Sequence, residues 1–236
     1  MNSGKLYLIP VPLGASPVAE VLPGSVIYHA RQLRHFVAEN AKSARAFLKS
    51  LPTDTPLQLI DIRELNEHTS RDAIPELLAP LLAGHDVGLI SEAGCPAVAD
   101  PGAALVALAH ESGITVLPLV GPSSLLLALM GSGLSGQNFA FNGYLPAKED
   151  QRRKRILELE VDSRRQQRTQ LFIETPYRNR QMFQALLSTC APQTRIAIAT
   201  DLTLTSESIM TKRVEDWRRQ DVPDIEKRPT VFLLQA

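Results

Sequence analysis

The sequence predicts an α/β fold of two domains, with a parallel sheet in the N-terminal domain and a mixed sheet in the C-terminal domain. In the first half, short apolar runs alternate with longer segments of helical periodicity, a pattern typical of parallel sheets. After Gly121 the pattern becomes richer in strands, which indicates a mixed sheet. The 236 residues, 44% of them hydrophobic and 21% charged, suffice for two modest domains. We place these domains at residues 1–119 and 120–236.

Each element of the N-terminal domain is predicted from local patterning. Strands are expected where short apolar or β-branched runs occur, namely at Leu6–Ile9, Ser25–His29, His35–Ala38, Leu57–Ile62, Val87–Ser91 and Ile114–Leu119. Helices are expected where apolar residues recur at helical spacing or alanine and leucine dominate, namely at Ala44–Leu51, Ile74–Leu82 and Ala103–His110. Pro75 fits the second of these helices in its first turn.

The C-terminal domain is predicted in the same way. Its helices are expected at Ser123–Met130, Asp150–Leu159 and Asn179–Leu187. Its strands are expected at Phe139–Tyr144, Gln170–Glu174, Arg195–Thr200, Ser206–Val214 and Thr230–Gln235. Three of these strands follow the last helix, so a purely parallel arrangement is not expected.

Composition excludes several classes of protein. Two cysteines, Cys95 and Cys190, cannot build a disulfide framework, and no Cys/His cluster has the spacing of metal ligands. We therefore expect no bound metal and a reducing cytoplasmic environment. The uncharged stretch 112–147 is interrupted by Pro118, Gly121 and other breakers, so we expect no membrane span.

Charge is unevenly distributed although the formal net charge is zero. Residues 1–120 contain 8 basic and 12 acidic residues, whereas residues 121–236 contain 17 basic and 13 acidic ones. Two runs, Arg152–Arg155 and Arg164–Arg168, contribute much of the positive charge. They indicate either a surface that faces phosphate groups or an ordinary solvated helix face, and the sequence leaves both interpretations open.

Three loops rich in glycine and proline stand where a ligand could bind. The loop Ser91–Gly102 follows a predicted buried strand and precedes a helix, the position at which open parallel sheets bind ligands. Pro10–Gly14 leaves the first strand, and Val120–Ser124 brings two serines to a helix N-terminus. Structural alternatives are a βα turn with Asp100 as a cap for the loop Ser91–Gly102, a serine N-cap for Val120–Ser124 and a chain reversal for Pro10–Gly14.

Other ligand motifs are excluded. The segment Gly131–Gly136 matches GxGxxG, but it follows an apolar helix and precedes a strand, the reverse of the dinucleotide-binding context. No P-loop, GxSxG elbow or HExxH motif occurs, and the five histidines share no spacing typical of metal ligands.

The three loops and two further segments together resemble the tetrapyrrole methylase superfamily, most closely its branch of ribosomal RNA small subunit methyltransferase I-like proteins. The resemblance covers nearly the whole chain. It is carried by YLIPVPLG at Tyr7–Gly14, LISEAGCPAVADPG at Leu89–Gly102, PLVGPSSLLLALMGSGL at Pro118–Leu134, FAFNGYLPAK at Phe139–Lys148 and FIETPYR at Phe172–Arg178.

This resemblance implies two α/β domains of the tetrapyrrole methylase type, commonly paired as a homodimer. It also implies that S-adenosylmethionine, which is converted to S-adenosylhomocysteine, binds in the cleft between the domains. The implied donor-binding residues are Pro12, Leu13, Gly94, Cys95, Val98, Ser123, Ser124, Pro176, Thr200, Pro229 and Thr230.

The implied acceptor is the ribose hydroxyl of a ribosomal RNA. The acceptor-side motifs AEDTR and HEHN are altered to Ala38–Lys42 and Arg63–Asn66, and RELTK is altered to Thr200–Leu204. A tetrapyrrole-like small molecule, or a binding protein without turnover on the same fold, therefore remain alternatives. A hydroxyl acceptor needs a base, for which the candidates are Glu39, Glu64 and Glu92.

Overall fold

A computed structural model describes residues 3–236 of the chain, which separate into two compact units. The first unit ends at Ser123 and the second covers Ser124–Ala236. Each unit is an α/β layer structure built on a sheet of five strands. The predicted fold class is confirmed, because one sheet is parallel and the other is mixed.

The sheet of the first unit has the strand order β3-β2-β4-β1-β5, and all neighbouring strands are parallel. Its strands are β1 (Leu6–Ile9), β2 (His35–Ala38), β3 (Asp61–Glu64), β4 (Val87–Ile90) and β5 (Val116–Pro118). Its helices are α1 (Val18–Val21), α2 (Gly24–Gln32), α3 (Ala41–Ser50), α4 (Ala79–Leu82) and α5 (Ala103–Glu111). Turns of 3-10 helix occur at Leu57–Leu59 and Arg71–Leu78.

Strand β4 is the central strand of this sheet, between β2 and β1. All four of its residues are buried. A Cβ atom on Gly88 would lie 2.7 Å from the ring of Phe36 on β2 and 2.8 Å from Cδ1 of Ile9 on β1. A glycine at this position therefore lets side chains from both neighbours pack over the strand.

The sheet of the second unit has the strand order β6-β7-β10-β8-β9. Strands β6 and β7 are parallel, whereas β10 is antiparallel to both β7 and β8, and β8 is antiparallel to β9. The strands are β6 (Phe139–Tyr144), β7 (Thr169–Ile173), β8 (Arg195–Thr200), β9 (Ser208–Arg213) and β10 (Thr230–Gln235). The helices are α6 (Ser124–Ser132), α7 (Glu149–Gln166), α8 (Asn179–Thr189) and α9 (Val214–Trp217), with a 3-10 turn at Pro176–Arg178.

Three local predictions are wrong. Ser25–His29 is part of helix α2 and not a strand, because Val26 and Ala30, one helical turn apart, are both buried in the core. Leu57–Ile62 is split between a 3-10 turn and strand β3. Ile74–Leu82 is not one α-helix, because Pro75 lies inside a 3-10 segment that precedes α4.

Two glycines of the rejected GxGxxG motif have structural roles, one in packing and one in backbone conformation. Gly131 lies in α6, where a Cβ atom would come within 2.3 Å of Cδ1 of Ile209 on β9. Gly133 follows the helix with a φ of +66°, in the left-handed region that favours glycine. The segment therefore ends a helix that packs closely on the sheet.

Candidate functional site

The carboxyl ends of all five strands of the first sheet meet at one edge, because the strands are parallel. The loops that leave this edge include Pro10–Gly14 after β1, Ser91–Gly102 after β4 and Leu119–Ser123 after β5. Ligands of open parallel sheets bind outside this edge. We refer to these three loops as the first, second and third loops.

The first and second loops are joined by backbone hydrogen bonds. The amide of Val11 donates to the carbonyl of Gly94 at 2.9 Å, and the amide of Gly94 donates back to Val11 at 3.1 Å. Gly94 has a φ of +74°, and a Cβ atom there would lie 3.1 Å from Cδ2 of Leu13. The site therefore requires glycine for both its backbone conformation and its close contact with the first loop.

The third loop contacts both of the others. The thiol of Cys95 donates to the carbonyl oxygen of Pro122 at 3.4 Å. A Cβ atom on Gly121 would lie 2.3 Å from Cβ of Pro10. The structure thus brings together the loops that contain predicted donor residues, namely Pro12, Leu13, Gly94, Cys95 and Ser123.

The middle of the second loop is strained. Ala97 and Ala99 have φ values of +64° and +60°, a conformation that residues with a Cβ atom rarely adopt. Val98, between them, is 50% exposed. Strain of this kind concentrates at ligand-binding loops, since packing alone does not favour it.

Two of the three candidate bases hold structural elements in place. Oε1 of Glu64 accepts a hydrogen bond from the amide of Ala41 at 2.9 Å, at the N-terminus of α3. Oε1 of Glu92 accepts a hydrogen bond from the hydroxyl of Ser43 on the same helix at 3.0 Å. Asn40 caps this helix by accepting from the amides of Lys42 and Ser43.

Glu39 differs from the other two candidates. Its half-buried carboxylate has no hydrogen bond or ion pair with any residue in 3–236. Burial raises its pKa above the ordinary value, and the charges of Asp100, Glu92 and Glu67 raise it further. The pKa of Asp100 is also raised, chiefly by burial and also by Glu92, against the lowering effect of its hydrogen bond from the amide of Gly102.

Four predicted donor residues of the second unit lie at the same end of its sheet, where β7 and β8 end and β10 begins. They are Pro176, Thr200, Pro229 and Thr230. The hydroxyls of Thr200, at the end of β8, and Thr230, at the start of β10, lie 3.3 Å apart. The carbonyl of Pro229 accepts from the amide of Asp201 at 3.0 Å, and the carbonyl of Pro176 accepts from the amide of Lys227 at 3.1 Å. Ser124, the remaining candidate of this unit, is the first residue of α6.

Sequence reasoning missed several residues around these candidates. In the first unit these are Ser43 and Asp100, described above. In the second, the buried carboxylate of Glu174 pairs with Arg178 at 2.7 Å, and Asp201 pairs with Arg228 at 2.8 Å. Glu174 and Arg178 lie in the segment FIETPYR, and Asp100 lies in the second loop. Their place within these motifs is the sequence feature that could have identified them.

Comparison with known sequences gives relatives named ribosomal RNA small subunit methyltransferase I. The relative from Pseudomonas aeruginosa is 30% identical over 224 residues, covering 94% of this chain and 75% of the relative. The relative from Escherichia coli O157:H7 is 30% identical over 216 residues, covering 88% and 68%. The chain belongs to the ribosomal RNA small subunit methyltransferase I family. The predicted family and its class, a methyltransferase, are thereby confirmed.

The Vibrio cholerae member of the family matches over a shorter segment. It is 36% identical over 145 residues, covering 61% of this chain and 49% of the relative. The chain therefore aligns with about half the length of that relative and about three quarters of the Pseudomonas aeruginosa one. No family model matches the chain.

Solved structures confirm the tetrapyrrole methylase fold of this family member. The methyltransferase CobJ has a TM-score of 0.65 at 18% identity, covering 99% of this chain and 94% of that one. The cobalt precorrin-4 methyltransferase CbiF has a TM-score of 0.63 at 13% identity, covering 98% and 94%. At these identities the likeness shows the fold alone.

Two negative findings apply to residues 3–236. None of their helices is long and apolar enough to cross a membrane. Within the same residues, His, Cys, Asp and Glu side chains form no group of three or more that could hold a metal ion.

Proposed function

We propose that this chain transfers a methyl group from S-adenosylmethionine to a ribose hydroxyl of ribosomal RNA. The observation that carries the proposal is membership of a family whose relatives are named for the RNA of the small ribosomal subunit. The convergence of three loops at the carboxyl edge of the parallel sheet supports it, since this edge is where such sheets bind ligands.

The close contacts at Gly94 support a donor-binding role for the loops of the first unit. A Cβ atom on Gly94 would meet Leu13 at 3.1 Å and the carbonyl of Pro122 at 3.4 Å, so only glycine keeps this position open. In the proposal Pro12, Leu13, Gly94, Cys95, Val98 and Ser123 hold the donor from this unit. Ser124, Pro176, Thr200, Pro229 and Thr230 hold it from the other unit.

The donor supplies an activated methyl group on a sulfonium, so the residues of this chain need to bind, orient and exclude water. Backbone groups of the second loop suit this task because they are fixed by the Val11–Gly94 hydrogen bonds. No metal ion enters the proposal.

We assign the role of general base to Glu39. A ribose hydroxyl must lose a proton when its oxygen accepts the methyl group, and a base with a pKa shifted toward neutral accepts that proton more readily. The Glu39 carboxylate has this direction of shift and no competing hydrogen bond in the described part of the chain. Glu64 and Glu92 are instead engaged with the start of α3.

The test is methyl incorporation from labelled S-adenosylmethionine into fractionated cell RNA and into small molecules. Label in small-subunit ribosomal RNA, at a ribose oxygen identified by nuclease digestion and mass spectrometry, is the expected result. Label confined to a tetrapyrrole-like small molecule would replace the acceptor.

A binding protein without turnover is distinguished by a second measurement. Calorimetry with S-adenosylmethionine and S-adenosylhomocysteine reports donor binding whether or not the methyl group is transferred. Binding of either compound with no label in any fraction would identify a non-catalytic protein and contradict the proposal.

Assembly and compartment belong to the same proposal. We propose a homodimer, as the family resemblance implies, that works in the cytoplasm. The two cysteines, Cys95 and Cys190, are unpaired, which suits a reducing compartment.

A further inference from the structure

A groove of about 660 Å³ lies between α7 and α8 in the second unit, separate from the loops described above. Its lining is polar and contains two arginines, two glutamines, a serine and a threonine. The lining includes Arg152, Arg153, Gln181, Gln184, Ser188 and Thr189.

Arg152 is buried in the wall of this groove without a counter-charge. Only 6% of the residue is exposed. Its Nη1 atom donates to the carbonyl of Ala147 at 3.0 Å, whereas its buried Nε atom has no hydrogen-bond partner. No carboxylate in residues 3–236 lies within ion-pair distance of it.

The other partly buried arginines of this unit show what is missing. Each has a carboxylate oxygen at 2.7 to 3.2 Å; they are Arg155, Arg168, Arg178 and Arg228. A buried guanidinium without such a partner is costly, because its charge has lost water and gained no anion. An oxyanion bound in the groove would supply the missing interaction.

The opposite wall offers further hydrogen-bonding groups. Gln181, Gln184 and Ser188 have the i, i+3, i+7 spacing of one helix face, and all three are exposed. The hydroxyl of Ser188 donates to the carbonyl of Ala185 at 3.1 Å, so the two glutamine amides are the donors of this face that remain open to a ligand. Oγ1 of Thr189 is buried and has no hydrogen-bond partner. Glu149 is the carboxylate of the lining, and it lies exposed in the first turn of α7.

We propose that this groove binds phosphate groups of the RNA backbone, an inference that rests on the proposed RNA acceptor. A guanidinium fork matches phosphate oxygens, and amides and hydroxyls are frequent partners of nucleic-acid phosphates. The lining contains no aromatic residue on which a base could stack, so it suits the backbone and not the bases. The groove fixes the position of the RNA without reading its sequence.

The experiment measures binding of fluorescent fragments of small-subunit ribosomal RNA as a function of salt concentration. Arg153→Glu and Gln184→Glu place negative charge on exposed positions of the groove, and Arg152→Lys keeps the charge but removes the fork. Arg219→Glu is the matched control, because Arg219 is 75% exposed on its side chain and does not line the groove. Thermal melting identifies any variant that fails to fold.

We expect each groove variant to weaken RNA binding by about fivefold or more, and the Arg153→Glu variant to reduce the slope of log K against log salt by about 0.7 to 1. Arg219→Glu should change affinity by less than twofold. A different result is that the parent protein methylates RNA while folded Arg153→Glu and Gln184→Glu keep its RNA affinity and salt slope. That result would overturn the proposal that the groove binds RNA and would leave the proposed function intact.

A second arm separates the source of the phosphate. Inorganic phosphate is titrated at constant ionic strength against the labelled RNA. If inorganic phosphate displaces the labelled RNA only at the high concentrations at which a single phosphate ion fills one site, the groove binds an extended RNA backbone. Binding of inorganic phosphate by a parent that binds and methylates no RNA would overturn both the RNA assignment of the groove and the proposed acceptor.

Discussion

The thiol sulfur of Cys95 lies 3.4 Å from the carbonyl oxygen of Pro122, and this contact joins the second and third loops of the first unit. A serine hydroxyl is of similar shape and can donate to the same carbonyl. We therefore expect Cys95→Ser to keep the fold and to bind S-adenosylhomocysteine within about tenfold of the parent, or roughly 1.4 kcal/mol, in calorimetry.

Thiol labelling tests the same position in the unmodified protein. Burial raises the pKa of the Cys95 thiol, and burial raises that of Cys190 to about 12, with a contribution from the charge of Glu160. Because the thiolate is the reactive form, labelling by a maleimide should be slow near pH 7, faster at Cys95, and should accelerate as pH rises. S-adenosylhomocysteine should protect Cys95. Protection of Cys190 alone would place the donor elsewhere.

Replacement of Gly94 by alanine should damage donor binding more than it damages folding. The new Cβ atom would lie 3.1 Å from Leu13 at a backbone φ of +74°. Gly113→Ala is a matched control, because Gly113 has a φ of +69° and no heavy atom would lie within 4 Å of its Cβ. Both variants should lose about 1 to 2 kcal/mol of stability from backbone strain.

Only the Gly94 variant should lose donor affinity, by about tenfold or more in calorimetry. If Gly94→Ala binds the donor as tightly as Gly113→Ala and the parent, the convergence of the loops at Gly94 does not form the donor site. A Gly113→Ala protein that also loses affinity would mean that backbone strain anywhere in the unit is enough.

Glu39→Gln should reduce methyl transfer by about 10² to 10⁴ while donor affinity stays the same, since a general base contributes on that order. The rate of the parent should rise as pH passes through the raised pKa of Glu39, because the ionised form accepts the proton. Glu64→Gln, whose amide oxygen can still accept from the amide of Ala41, serves for comparison. An equal loss in both variants would remove the distinction between these carboxylates.

The same substitution should change stability with pH. The folded state raises the pKa of Glu39 above its ordinary value of 4.5, so between these two values it binds more protons than the unfolded chain. Stability is therefore lost as pH rises through this window. We expect Glu39→Gln to melt at a higher temperature than the parent near pH 7, with the advantage gone below about pH 4.5. No difference in melting temperature at any pH would show that Glu39 is not electrostatically disfavoured.

Assembly can be tested on helix α6. Leu126 and Met130 are one turn apart on this helix and are 52% and 79% exposed. If they lie in a homodimer interface, light scattering at micromolar protein gives twice the chain mass of 25.9 kDa. Met130→Glu should then shift the mass toward the monomer, whereas Leu157→Glu, on the 43% exposed Leu157 of α7, should not. A monomeric parent at all concentrations would rule out a stable dimer.

The sequence predicted those elements whose identity is decided locally. Strands such as Val87–Ile90 and Phe139–Tyr144 were predictable because short apolar runs are bounded by turn residues. Helix α2 was not, because Val26 and Ile27 favour strands in isolation while burial of Val26 and Ala30 on one face favours a helix. Tertiary packing decided that segment.

The candidate site also combines features that local sequence predicts with features that depend on tertiary packing. Motifs identified the three loops, but only the fold shows that Val11 and Gly94 exchange hydrogen bonds. Glu39 was indistinguishable from Glu64 and Glu92 by sequence, since its raised pKa is caused first by its burial in the fold and then by the charges of Asp100 and Glu92, which are distant along the chain. The unpaired charge of Arg152 was equally invisible, because burial and not residue type defines it.

The position of β10 has a consequence for how the chain is made. This strand is formed by Thr230–Gln235, yet it lies between β7 and β8 in the middle of its sheet. On a ribosome, the first unit can complete its sheet soon after Pro118 emerges, whereas the pairs β6–β7 and β8–β9 cannot be joined into one sheet until β10 emerges. At about 5–20 residues per second, the second half stays incomplete for on the order of ten seconds. During that interval the apolar edges of β7 and β8 are open to misassembly, so the C-terminal unit is exposed to misassembly for longer than the N-terminal one.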